Sequence, residues 1–175
     1  MMFLLCVKRL AAFVFFLALA ACGAPPREAQ APVAAPEPSL YRSLSQVGAE
    51  VDAEAARDMI SQYRRNHGLG ELALDAKLQE VARRRAEAMA RRGSVDPRSA
   101  GGVSPRLLAL EARNGAAIEN LSAGYDTLAE AFSGWRQSPA HNGRMLDARA
   151  RRMGLATAYA PGSKFKVYWA LVLTD

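Results

Sequence analysis

The feature that most constrains the fold is a change of hydrophobic period in the last third of the chain. Phe165, Val167, Trp169, Leu171 and Leu173 alternate with Lys166, Tyr168, Ala170, Val172 and Thr174. That predicts a strand with one fully apolar face and one mixed face. Gly154 to Tyr159 reads as its partner, joined through the turn residues Ala160-Pro161-Gly162-Ser163. Upstream, apolar residues recur at three and four positions instead. Helices first and an antiparallel sheet last predict an α+β domain with helices stacked on the sheet.

The helices carry their own punctuation. Asp52 caps a helix through Met59, Ile60 and Tyr63, and Gly68 is expected to end it at the C′ position. A second helix runs from Asp75 to Gly93, with Leu78, Val81, Ala82, Ala86 and Met89 on one face and Arg83, Arg84 and Arg91 elsewhere. A Gly/Ser/Pro-rich loop follows, then Ser104-Pro105 opens a short helix through Leu107, Leu108 and Leu110 that ends at the turn signal Asn114-Gly115. Ala116 to Tyr125 is irregular or strand-like and carries Glu119. Thr127-Leu-Ala-Glu130 fits a capping box, and Leu128, Ala131, Phe132 and Trp135 form a buried stripe. Glu130 lies about 200° from Leu128 on the helical wheel and so points away from that stripe. Ser138-Pro139 opens another short helix and places His141 in its first turn, where the positive helix end disfavours protonation and leaves a neutral imidazole able to ligate.

Of 175 residues, half are hydrophobic, enough for one core. Residues 1–21 contribute nothing to it: Lys8-Arg9, an apolar run from Leu10 to Leu19 and small residues before a cysteine have the anatomy of a secretory signal, too short for a comfortable membrane span. Leu19-Ala20-Ala21-Cys22 resembles the bacterial lipobox. That resemblance implies acylation of Cys22 as the first mature residue, loss of Cys6 with the signal, and a membrane partner through the lipid. Gly23 after it resembles an outer-membrane address, so the expected location is the outer membrane, facing the periplasm. With both cysteines accounted for, no disulfide is expected. Residues 22–39, with five prolines, read as a semi-rigid tether, and residues 40–175 as the folded domain, expected to be a monomer. Formal charge is +6, or +4 once Lys8 and Arg9 are removed. The excess, over Arg64, Arg65, Arg83 to Arg85, Arg91, Arg92 and Arg149 to Arg152, reads as a solvated basic surface, the alternative being attraction to anionic lipid or acidic polymers. No aromatic interleaving or DNA-reading motif accompanies it, which argues against nucleic acid.

Glu119, Glu130 and His141 form the closely grouped set of acid and imidazole side chains. Ile118-Glu-Asn-Leu, a helix ending in Trp135, Ser-Pro-Ala-His141 and a closing strand with Tyr168-Trp169 together resemble the CAP superfamily of cysteine-rich secretory, antigen 5 and pathogenesis-related proteins, also called the SCP domain, over about residues 54 to 174. The resemblance implies an α-β-α sandwich with a cleft holding two histidines and two glutamates, able in some members to bind a divalent metal such as zinc. It matches Glu119, Glu130 and His141 to the two glutamates and the second histidine. The first histidine has no counterpart in Gly93-Ser-Val-Asp-Pro97, His67 lies where the pattern places no ligand, and Asp96 is a substitute candidate. Ile118 replaces the usual glycine.

Each candidate has a plainer role beside the chemical one. Glu119 satisfies loop amides or acts as a cleft acid; Glu130 completes a cap or lines the cleft; His141 ties loop to helix by a hydrogen bond to Glu119, or acts as ligand or base. Trp135, Trp169 and Tyr168 read as core. No nucleophile stands in a motif. The expected function is therefore a lipid-anchored envelope module that binds a lipid, peptidoglycan or another envelope polymer, or an envelope protein, without catalysis. The rivals are a divalent-metal-assisted hydrolase using Glu119, Glu130 and His141, and a spacer or adaptor in which the polar cluster only pins loops.

Overall fold

The computed structural model describes residues 37–95 and 117–175. The expected signal segment, Cys22, most of the expected tether, Asp96, and the helix through Leu107 and turn at Asn114-Gly115 that the sequence predicts all lie outside the described residues. Pro36–Asp175 forms one compact unit. Its described elements are α1 (Ala53–Arg65), β1 (Ala73–Leu74), α2 (Ala76–Arg92), β2 (Ala117–Ala123), α3 (Leu128–Gln137), α4 (Pro139–Met145), β3 (Arg152–Tyr159) and β4 (Val167–Thr174).

Four strands form one sheet in the order β1-β3-β4-β2. β4 pairs antiparallel with both β2 and β3. β1 adds a parallel pair, Ala73 and Leu74 opposite Arg152 and Met153. Two residues carry no readable period, and this strand was not expected.

The cores lie on the two faces of the sheet. Val167, Trp169, Leu171 and Leu173 pack with Ile60, Leu128, Ala131, Trp135 and Met145 from α1, α3 and α4. Tyr168, Ala170 and Val172 pack with Leu78, Val81, Ala82, Ala86 and Met89 of α2. Every residue of β4 is buried, so the face expected to be mixed is covered as well. Its alanine and valine accept α2 at close range, Lys166 falls before the strand, and the Tyr168 hydroxyl is paired with Ser163 Oγ. The result is the α-β-α sandwich implied by the resemblance, with an α+β composition.

The helix ends follow the sequence. Asp52 accepts from Ala55 N at 2.9 Å, and Asp75 accepts from Lys77 N and Leu78 N at 2.9 and 3.1 Å, satisfying amides left open at a helix start. Gly68, at φ 72°, closes α1 at the C′ position as expected: its N–H donates to Arg65 O at 2.9 Å and Leu69 N donates to Arg64 O at 3.0 Å, a left-handed turn costly for residues with a Cβ. Against the sheet, α2 comes so near β3 that a Cβ on Gly154 would stand 2.2 Å from the Leu78 carbonyl carbon.

Two arginines assigned to the solvated surface are interior. Arg64 is fully buried. Its guanidinium donates to Gly70 O at 2.8 Å, Met145 O at 2.8 Å, Asp147 O at 2.9 Å and Ala150 O at 3.0 Å. Burial lowers its pKa, with Arg151 adding to the effect, yet an arginine stays charged here. Five fixed donors suit a converging set of carbonyls, so one α1 side chain ties together the end of α1 and the α4–β3 connection. Arg85, 5% exposed, is the other.

Candidate functional site: the β2 strand and its two faces

β2 positions the candidate residues, and its alternation separates them. Ala117, Glu119, Leu121 and Ala123 face α2, whereas Ile118, Asn120 and Ser122 face α3 and α4, as their partners below establish. Each side of the strand is covered by a different layer. Neighbours in sequence therefore serve different surroundings.

On the α2 side, Glu119 meets Arg85. Arg85 Nε and Nη2 donate to its two carboxylate oxygens at 2.6 and 2.7 Å, a bidentate fork with side-chain exposures of 6% and 16%. Such charge-assisted pairs are strong and directional. A carboxylate held this way has its charge matched and both oxygens engaged.

On the other side, Asn120 is fully buried. Its Nδ2 donates to the His141 carbonyl at 3.0 Å, which fixes Oδ1 as the acceptor facing the His141 ring. His141 Nδ1 lies against that oxygen, so Nδ1 carries the proton and Nε2 keeps the lone pair. The imidazole pKa is lowered, by burial first and by Arg144 second. The direction is the one expected from its helix position, and burial is its first cause. Its partner is Asn120 and not Glu119. Two residues along, Ser122 Oγ accepts from Trp135 Nε1 at 2.9 Å. Trp135 and Trp169 are both buried, with rings 5.9 Å apart and nearly perpendicular.

Glu130 is engaged elsewhere. Thr127 Oγ1 accepts from Glu130 N at 3.2 Å, and Glu130 Oε2 accepts from Asp126 N at 2.8 Å and Thr127 N at 3.3 Å. This is a complete capping box at the exposed start of α3. His67 stands at the end of α1, its Nδ1 2.8 Å from Tyr63 O and its ring edge-on to Tyr63 at 4.5 Å. The structure thus places Glu119 in an ion pair, Glu130 in a cap and His141 on Asn120, and does not bring the three together. Among the described residues, no three histidine, cysteine, aspartate or glutamate side chains are grouped to hold a metal ion. A zinc site needs about three protein ligands, and the residues at β2 do not fit one. Arg85 and Asn120, the partners that define both environments, were missed in the sequence. Asn120 sits inside the recognised motif, so β2's alternation was the available signal.

The fold is matched by comparison with known proteins. The profile of the cysteine-rich secretory protein (CAP) family covers residues 57–173. The chain belongs to the CAP family. Its fold is similar to that of an outer surface protein from Borrelia burgdorferi, at 18% identity and TM-score 0.56, covering 72% of this chain and 96% of that one. It is also similar to a cysteine-rich secretory protein from Staphylococcus aureus, at 16% identity and TM-score 0.52 over 73% of this chain and 40% of that one. An extracellular SCP-domain protein from Bacillus anthracis matches at 21% identity and TM-score 0.50, over 70% of this chain and 40% of that one. This CAP chain therefore spans less than half of the latter two proteins. No curated protein matches the chain significantly. Among the described residues, no helix is long and apolar enough to cross a membrane.

Proposed function

We propose that this CAP-family chain is a lipid-anchored envelope protein that binds a ligand or partner without catalysis. The observation that carries the non-catalytic part is the Arg85–Glu119 fork. A general base or metal ligand needs a carboxylate oxygen directed at solvent or substrate, and both Glu119 oxygens face a guanidinium. His141 keeps a lone pair on Nε2 but, among the described residues, belongs to no group of three or more histidine, cysteine, aspartate or glutamate side chains. The anchoring part rests on the Leu19-Ala20-Ala21-Cys22 sequence, and an outer surface protein among the structurally similar chains accords with it. The bound species is a lipid, an envelope polymer such as peptidoglycan, or an envelope protein.

Two measurements test this reading. Fractionation of expressing cells is expected to place the wild type with membranes and Cys22→Ser in the soluble extract; the same distribution for both removes the anchor. Peptide and ester substrates are expected to remain intact with zinc present. Metal-dependent turnover lost in His141→Ala would overturn the non-catalytic reading and restore the hydrolase.

A further inference from the structure

The strand β3 is eight residues long, yet its outer neighbour β1 covers only Arg152 and Met153. Backbone parity decides what the rest of that edge presents. Ala160 N donates to Lys166 O at 2.6 Å, and with the register Ala158 to Tyr168 this directs the even-numbered residues of β3 toward β4. The odd-numbered ones direct their amides and carbonyls away from it. Asp75 N takes the Met153 carbonyl at 2.9 Å. Gln79 then imitates a strand: its Nε2 donates to Leu155 O at 2.6 Å and its Oε1 accepts from Leu155 N at 3.0 Å. Beyond it, the outward N–H and C=O of Thr157 and Tyr159 meet no protein partner among the described residues.

Open space lies beside Thr157. A cavity of about 320 Å³ is bounded by Glu50 and Val51 on one side, Gln79, Glu80 and Arg83 of α2 on another, and Thr157. Edge strands are ordinarily blunted by charge, proline or a bulge, and Leu155-Ala-Thr-Ala-Tyr159 carries neither proline nor charge. Arg83 is matched by Glu80 and Glu87, and Arg84 by Glu80. The charged residues that bound the cavity itself are two carboxylates, Glu50 and Glu80, and one guanidinium, Arg83, and Glu50 has no cationic partner among the described residues, so the cavity's lining carries a net negative charge.

We infer that this edge takes an extended, basic segment of a partner polypeptide, which adds as a strand beside Thr157–Tyr159 and places a lysine or arginine near Glu50. Main-chain bonds to Thr157 and Tyr159 supply the attachment, and Glu50 selects for charge. The site lies at the opposite end of the strand order from β2 and does not depend on what Glu119 or His141 do.

The test uses the full chain and a capped pentapeptide alternating lysine with β-branched residues, followed by residue-resolved amide exchange. Saturating peptide is expected to slow exchange at Thr157 and Tyr159 by about ten-fold or more. A twin peptide N-methylated at alternate amides is expected to give no protection, because its side chains remain while its donors are gone. Glutamate in place of lysine, or Glu50→Gln in the protein, is expected to weaken binding about two- to five-fold. Thr157→Pro removes an amide that takes no part in the β3–β4 ladder, so it is expected to abolish binding while leaving the unfolding midpoint close to wild type. Absence of protection at millimolar peptide, or binding that survives N-methylation or Thr157→Pro, overturns the inference. Protection that grows with protein concentration in the absence of peptide also overturns it, by assigning the edge to a second copy of the chain.

Discussion

Replacing Arg85 by Met tests the ion pair on which the non-catalytic reading stands. The substitution keeps an unbranched side chain within α2 but leaves the Glu119 carboxylate, 16% exposed, without its guanidinium. Leaving one partner of such a buried pair costs about 3–5 kcal/mol. Glu119→Gln is expected to cost a similar amount, because Arg85 Nε and Nη2 then lose the carboxylate to which they donate. The double variant is expected to fall short of the sum of the singles by about 2 kcal/mol or more, since neither charge is then stranded. Urea unfolding followed by tryptophan fluorescence is a suitable assay, as Trp135 and Trp169 are both fully buried. The midpoint should move while the slope stays constant. Additive singles, or an Arg85→Met cost below about 1 kcal/mol, would refute the reasoning. Glu119 would then be energetically independent of Arg85 and available for chemistry.

Three further outcomes follow from the same geometry. Arg64→Met strands buried carbonyls of Met145 and Ala150 together with those of Gly70 and Asp147, and is expected to lower stability by about 2–5 kcal/mol in urea. Gly154→Ala drives a methyl group to 2.2 Å from α2 backbone, where no side-chain movement gives relief; a loss of at least about 2 kcal/mol is expected by thermal unfolding. His141 has a folded-state pKa below its ordinary 6.5, so the unfolded chain takes up the proton first. Its contribution is complete above about pH 6.5 and is lost as pH falls through the lower folded value, a dependence that His141→Gln should remove from urea midpoints measured between about pH 5 and 8.

What was legible in the sequence was local. The α2 stripe, the caps at Asp52, Asp75 and Thr127, and the alternation of β4 each depend on residues within a few positions of one another. The misplaced arginines depend on distant ones. Arg64 is interior because carbonyls from residues 70, 145, 147 and 150 converge on it, and Arg85 because a glutamate 34 residues away faces it. A charge in the sequence reads as surface unless its partners are known. β1 was invisible because two residues have no period.

The failed convergence of Glu119 and His141 has a different cause. In the sequence, Ala116 to Tyr125 reads equally as irregular chain or as strand, and in irregular chain neighbouring side chains can share a cleft. As β2, paired with β4 from Ala117 opposite Thr174 to Ala123 opposite Tyr168, the segment must alternate. Glu119 then belongs to the α2 layer and Asn120 to the α4 layer. Alternation along β2 assigns these two neighbours to separate surroundings: the acid to Arg85, and the amide to the histidine it orients.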